Sequence, residues 1–281
     1  MNSSIYKRSQ LKYLSATLGC SPKELEYIIS NLDAYYREWH ETKINGATGD
    51  FKRYRDGTIK QRTIRPSIKR LKVLQGAIKN KILAPILLPE NIHGGVKKKN
   101  NISNAKPHQG KKFTFTTDLQ EFYPGIKYNS VYSLFLRLGY SNHIAHWLTK
   151  LTTWKHELPQ GTPTSPHIAN LAFLPTDYKL IELCATHGLT YTRYVDDLTF
   201  SSDKDFKPIT NDILKIILDD GYKISRRKTS YKALQTITGI KVFNNRIDAP
   251  EKIIRKAEEE LANDSIMKPF TNYLRLVRKT N

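Results

Sequence analysis

"RYVDDLTFS", residues 193–201, sets two adjacent carboxylates, Asp196 and Asp197, between flanks that read as β-strand. Aspartate is among the residues least suited to a strand, and neighbouring like charges are tolerated only when solvated or neutralised by cations. The wider stretch "LTYTRYVDDLTFSS", residues 189–202, reads as two short β-rich runs with the carboxylates at the turn between them. Upstream, "KFTFTTDL", residues 112–119, alternates: Phe113, Phe115 and Thr117 share one face, and Thr114, Thr116 and Asp118 the other. Asp118 therefore ends a half-buried strand and points away from the phenylalanines. Three carboxylates converging near a basic groove can hold two Mg2+ ions about 4 Å apart, the arrangement that clamps the attacking and leaving oxygens of phosphoryl transfer. A lone Asp-Asp turn is more often a solvated hairpin tip, so the pair gains meaning only from its company.

Charge supplies part of that company. The 281 residues carry a formal net charge of +20, far from the mixed surface of an ordinary soluble domain. From Gly57 to Thr117 the only acid is Glu90, among fourteen lysines and arginines, and a second acid-free stretch runs from Gly221 to Ile247. Phosphate backbones match such surfaces, because neutralising them releases condensed counterions. An acidic membrane surface fits less well, since no basic amphipathic helix with a clean apolar face stands out. No apolar run of membrane-spanning length occurs, and "MNSSIYKRSQ" lacks the apolar core of a secretory signal, so a cytoplasmic protein is expected. Cys20 and Cys184 are far apart and read as reduced buried thiols.

Local signals outline an α+β chain. "SPKELEYIISNLDAYYREWHE" opens with a capping box, Ser21 with Glu24, and continues at helical spacing through Trp39. "FKRYRDGTIKQRTI" reads as two strands around an Asp56-Gly57 turn, and Ser67 can cap a helix that ends before Pro85. Residues 91–111 show no periodicity and read as a long functional loop or a locally ordered insertion. Helices are expected near 129–138, 142–152, 165–185 and 209–219, strands near 222–231 and 235–243, and a helical basic tail from Ala249.

Tyr194-Val195-Asp196-Asp197 resembles the catalytic box of reverse transcriptases, and other motifs follow the family's order. "TTDLQEFYPGI" resembles the first catalytic motif, and "LPQGTPTSPHIANL", residues 158–171, the long second one. "GYKISRRKT", residues 221–229, resembles the fourth, and "TITGIKV", residues 236–242, the primer-grip region. Within that family the bacterial retron type is the nearest match. Asn104-Ala105-Lys106-Pro107-His108, preceded by His93-Gly94, resembles the retron Asn-Ala-x-x-His region, and Ile237-Thr238-Gly239 resembles the retron Val-Thr-Gly. The finger motif departs from the family pattern, with Pro66 one position early in "RTIRPSIKRLKVLQ".

The resemblance implies a right-hand polymerase fold. Residues 1–111 would form an N-terminal helix and fingers, including the retron-like loop 91–111. Residues 112–235 would form a palm with a finger-like helical insertion at about 129–157, and residues 236–281 a primer grip and short thumb. It implies that Asp118, Asp196 and Asp197 ligate two Mg2+ ions, helped by the Leu119 carbonyl, while a primer hydroxyl attacks the α-phosphate of a dNTP and pyrophosphate leaves. Lys228 would protonate the leaving group. Arg62 or Arg65 would contact the triphosphate, Tyr123 would reject the ribose 2′-hydroxyl, and Gln160 and Gly161 would line the nucleotide pocket. Asn104, His108, Thr238 and Gly239 would serve RNA recognition, read by shape, phosphates and 2′-hydroxyls, with loop-stabilising hydrogen bonds the alternative for Asn104 and His108. The implied partners are a cognate noncoding RNA, its branched DNA product (msDNA), dNTPs and an effector protein of an antiphage system, with no membrane. Two other readings remain open: a defence reverse transcriptase using a different template, and a noncatalytic RNA-binding scaffold of the same fold.

Overall fold

The computed structural model describes residues 3–44, 50–54, 56–233 and 236–280. In chain order its elements are α1 (Ser3–Leu18), α2 (Pro22–Ser30), β1 (Trp39–Thr42), β2 (Gln61–Ile64), α3 (Lys69–Ile78), α4 (Asn101–Ala105) and β3 (Phe113–Asp118). There follow α5 (Phe122–Gly125), α6 (Tyr128–Arg137), α7 (Asn142–Thr152), α8 (Ser165–His187), β4 (Thr190–Tyr194) and β5 (Asp197–Ser202). The rest comprises α9 (Thr210–Asp219), β6 (Ser230–Lys232), β7 (Thr236–Ile237), β8 (Ile240–Val242), β9 (Ile247–Asp248), α10 (Glu251–Ala262) and α11 (Pro269–Arg278). The α+β class follows directly. No helix among the described residues is long and apolar enough to cross a membrane.

The chain divides into two compact units, Met1–Leu87 with Glu121–Ala172, and Leu88–Gln120 with Phe173–Asn281. In the first, Leu25, Ile28, Leu71, Leu74, Ile78, Phe135, Leu148 and Leu151 are sealed from solvent, and each such side chain contributes about 1.5–3 kcal/mol through burial. Gln75 sits among them because its amide donates to the Leu151 carbonyl and the Tyr36 hydroxyl, while it accepts from Ser67. Ser67 is thus spent on Gln75 and does not cap α3, whose N-cap is Ile68. The capping box at Ser21 does open α2, but that helix stops at Ser30, where the Asn31 side chain donates to the Tyr27 carbonyl. Trp39, expected on the same helix, instead lies on β1, which pairs antiparallel with β2. Tertiary partners decide the break: Tyr36 stacks on Trp154 at 4.8 Å, and the Trp154 indole donates to Asp33.

The second unit is built on an antiparallel sheet of order β4-β5-β3-β6. Phe115 lies opposite Phe200, and Tyr191 stacks on Phe200 at 4.6 Å, forming the apolar face. Alternation turns Thr116, Asp118, Asp197 and Thr199 to the other face, as the strand pattern predicts. A second sheet, β7-β8-β9, packs Ile237, Ile240, Val242 and Ile247 with Ile102 of α4 and Val277 of α11. The strand expected over 222–231 is confined to β6, because Arg226–Lys228 winds into a 3-10 turn first.

Candidate active site

Asp118, the last residue of β3, is paired in register with Asp197, the first of β5. The strand ends alone therefore bring two carboxylates side by side, and Asp196 adds a third from the turn. The Leu119 amide donates to the Asp196 carbonyl at 2.9 Å, tying the turn to the end of β3, and the Ser225 amide donates to the Asp118 carbonyl at 2.8 Å. Burial pushes the Asp197 carboxyl up to about 7, and the charges of Asp196 and Asp118 push the same way. Lys228 donates to Asp118 Oδ2. Burial works against the Lys228 charge, but the hydrogen bond to Asp118 and the three surrounding carboxylates outweigh it and raise its pKa.

This donor set fits a hard divalent cation by chemistry and by charge: it is all oxygen, half-buried and over-supplied with negative charge. Among the described residues no group of three His, Cys, Asp or Glu side chains is already disposed around a single ion position. The Lys228 ammonium holds Asp118 instead, so the carboxylates and Lys228 must adjust for a metal to bind.

The turn carrying Asp196 has an unusual backbone. Val195 has φ of +59°, left-handed space where a β-branched residue costs about 1–3 kcal/mol. Arg193 is completely buried and grips Asp177 of α8 bidentately, Nε to Oδ1 at 2.9 Å and Nη2 to Oδ2 at 2.6 Å. Its Nη1 donates to the Val195 carbonyl at 2.9 Å, and its guanidinium lies 4.9 Å from the Phe173 ring centroid. Tyr191 donates to the same Asp177. On the outer edge of β4, Arg193 donates its amide to the Asn91 carbonyl and accepts from the His93 amide, both at 2.8 Å. Gly94 then presses against the turn, where an added Cβ would stand 2.3 Å from the Val195 nitrogen.

The sequence reading did not single out Arg193 or Asp177. A signal existed: Arg193 shares the inward face of its strand with Tyr191, where a charge needs a partner, and Asp177 follows the apolar run 171–175 of α8.

The expected nucleotide-pocket residues all belong to the other unit. Arg65 is ion-paired with Glu38 and Glu157, and its amide donates to the Gln160 carbonyl at 2.7 Å. That pairing makes Arg65 a structural strut, while Arg62 is exposed on β2. Gly161 has φ of +109°, and a Cβ there would come within 3.2 Å of Ile64. Tyr123 is half-buried in α5, its ring 5.9 Å from that of Phe122.

The retron-like elements meet each other. Asn104 Nδ2 donates to Thr238 Oγ1 at 3.3 Å, and Asn101 Nδ2 donates to the Thr238 carbonyl at 3.2 Å. Thr238 and Gly239 form the β7–β8 turn, both at positive φ, with Gly239 exposed. His108 is buried and bridges Ser201 at 2.6 Å and Thr192 at 2.7 Å, with burial depressing its pKa to about 3. For Asn104 and His108 the sequence leaves open loop-stabilising hydrogen bonds or RNA recognition; both side chains are buried and make the former. The Asn104 Nδ2 and both His108 ring nitrogens have protein partners, which fasten the loop to the sheet and to the Thr238 turn. Asn104 Oδ1 and Gln109 Oε1 are buried there without protein partners.

The sheet thus aligns Asp118 with Asp197 beside the Asp196 turn, with Lys228 on Asp118. The reverse transcriptase (RNA-dependent DNA polymerase) family profile matches residues 55–253, and the chain belongs to that family. Membership carries a general dependence on divalent metal ions. More particularly, the chain is similar to the retron Ec86 reverse transcriptase of Escherichia coli, 35% identical over 71% of this chain and 66% of that one. It is also 35% identical to the retron Se72 reverse transcriptase of Salmonella heidelberg, over 70% of this chain and 49% of the relative. The chain thus spans about half to two thirds of these relatives' length. Among solved structures, a telomerase from Candida albicans in complex with a fragment of telomeric RNA aligns with a TM-score of 0.48 and 12% identity, covering 69% of this chain and 44% of that one.

Proposed function

We propose that the chain is a retron-type RNA-directed DNA polymerase that copies part of a cognate structured RNA into a branched RNA-DNA hybrid within an antiphage system. The observation that carries the polymerase reading is the Asp118–Asp197 register with Asp196 at the adjoining turn. Two bound Mg2+ ions would supply Lewis acidity and lower the pKa of the attacking hydroxyl. The chain's own residues do the rest. Asp118, Asp196 and Asp197 present the oxygen ligands, with the Leu119 carbonyl beside them. Lys228, kept protonated by these carboxylates, stands ready to give its proton to the leaving pyrophosphate once released from Asp118. Arg62 contacts the triphosphate, and Tyr123, Gln160 and Gly161 form the nucleotide pocket, with the fingers, palm and thumb boundaries drawn from the motif order.

The retron reading is supported by the named relatives and by the docking of Asn101 and Asn104 onto Thr238, which makes the Asn-Ala-x-x-His loop and the Thr-Gly turn one feature. Asn104 and His108 act on RNA through the shape of that loop, whose lysines carry the phosphate contacts. The test is expression of the chain with its flanking DNA, alongside Asp196→Asn, and nuclease analysis of the copurifying nucleic acid. A discrete RNA-linked DNA, lost in the variant, is the expected result. RNA without DNA in both proteins argues for a scaffold, and extension of any primer-template without a bound RNA argues for a polymerase with another template.

A further inference from the structure

We infer that Arg193, Asp177 and Gly94 form a brace that holds the catalytic turn in register with Asp118, making them positioning residues for phosphoryl transfer; this rests on the polymerase reading of that turn. A fully buried ion pair is a poor means of stabilising a core, since apolar residues of equal size often do as well or better. What Arg193 provides that an apolar side chain cannot is a donor aimed at the Val195 carbonyl, one residue before Asp196. Arginine suits this position because its planar fork engages both Asp177 oxygens and still leaves Nη1 for the turn.

The opposing jaw is the segment 91–94. It runs beside β4 in a parallel bridge, Ile92 to Arg193, and fixes the Arg193 backbone through both its amide and its carbonyl. It ends at a residue with no side chain against the Val195 nitrogen, where any Cβ would displace the turn. The guanidinium holds the carbonyl of Val195 while Gly94 bounds its nitrogen, so the left-handed conformation is imposed from outside the turn. The Leu119 amide on the Asp196 carbonyl completes the frame on the Asp118 side.

The test compares wild type, Asp196→Asn, Arg193→Lys, Gly94→Ala, Val195→Asn and the Arg193→Lys/Val195→Asn double variant. Three quantities are read: single-turnover primer extension with its rate and dNTP affinity, Mn2+ binding by electron paramagnetic resonance without nucleic acid, and thermal midpoint. Arg193→Lys is expected to slow the extension rate on the order of 10–100-fold, as a displacement near 1 Å does, and to weaken Mn2+ binding while dNTP affinity stays within about threefold. Asparagine enters left-handed space more readily than valine, so the penalty of Arg193→Lys is expected to shrink at least about threefold in the Val195→Asn background. Equal penalties in both backgrounds, or rate losses that only track the thermal midpoint, overturn the brace. If Arg193→Lys does not fold, Gly94→Ala carries the same expectation from outside the ion pair: a slower rate and weaker Mn2+ binding support the brace, and wild-type values for both overturn it. A wild type that neither extends primers nor binds Mn2+ overturns the polymerase reading and the brace together. An active wild type with an equally active Arg193→Lys overturns the brace alone.

Discussion

Two hairpin turns, one in each unit, show how differently a chain can close the same connection. At Asp56-Gly57 everything needed lies within a few residues. Gly57 supplies the positive φ of +86°, Asp56 Oδ1 accepts from the Thr58 amide and hydroxyl, and Arg53 donates to the Gly57 carbonyl. At Val195-Asp196 the positive φ falls on a β-branched residue, and the arginine that donates to the turn is buried and anchored to a helix sixteen residues away in sequence. The glycine this second turn needs is not in it but opposite it, at Gly94. A turn that only reverses the chain can be written locally, whereas the one that places Asp196 beside Asp118 is held by distant residues, and its strain sits at the proposed site.

Exchanging the acid at each turn region should break the comparison most sharply. Asp118→Asn removes a carboxylate from the site and is expected to cut primer extension by about 1,000-fold or more, roughly 4 kcal/mol of transition-state stabilisation, with the fold retained by circular dichroism. Asp56→Asn is expected to leave the extension rate within about twofold. Acid comes next. His108, fastened to the same sheet face as Asp118 and Asp197, has a folded pKa of about 3, below the ordinary value of 6.5 that the unfolded chain restores. The unfolded chain therefore takes up the proton first, and stability present above about pH 6.5 is lost as the pH falls toward 3, by up to a few kcal/mol. His108→Gln should flatten that dependence of the thermal midpoint; an unchanged slope would assign the acid sensitivity to other groups. The smallest effect belongs to the outer turn. Gly57→Ala meets no neighbouring atom but must hold a positive φ, costing about 1 kcal/mol of stability by denaturant melt with no change in extension rate.

The palm was legible because its signal is periodic and local. Two-residue alternation placed Asp118 on the face away from Phe113 and Phe115, and the strand register then set it beside Asp197 without further instruction. Helices α6, α7 and α9 were legible for the same reason, as each carries its own apolar periodicity, whereas α8 is apolar nearly all round and was legible from its length. Trp39 and Tyr36 misled because their spacing fits a helix, while their partners, β2 and Trp154, lie far along the chain and won. His108 and Asn104 left two readings open, loop-stabilising hydrogen bonds and RNA recognition. Polar residues in a lysine-rich stretch read as surface, and only the three-dimensional pairing with Ser201, Thr192 and Thr238 shows that they serve the inside. Arg193 carried a signal of its own as a charge on an inward face, but its pairing with Asp177 carried none, because an ion pair leaves no spacing signature when one partner is on a strand and the other on a helix.

The most direct test of the account is anomalous diffraction from crystals of the protein grown with Mn2+. It predicts metal density bounded by Asp118, Asp196 and Asp197, with Lys228 withdrawn from Asp118 and Val195 still at positive φ. Density elsewhere, or none at the carboxylates under saturating Mn2+, would contradict the claim that this turn is the catalytic centre.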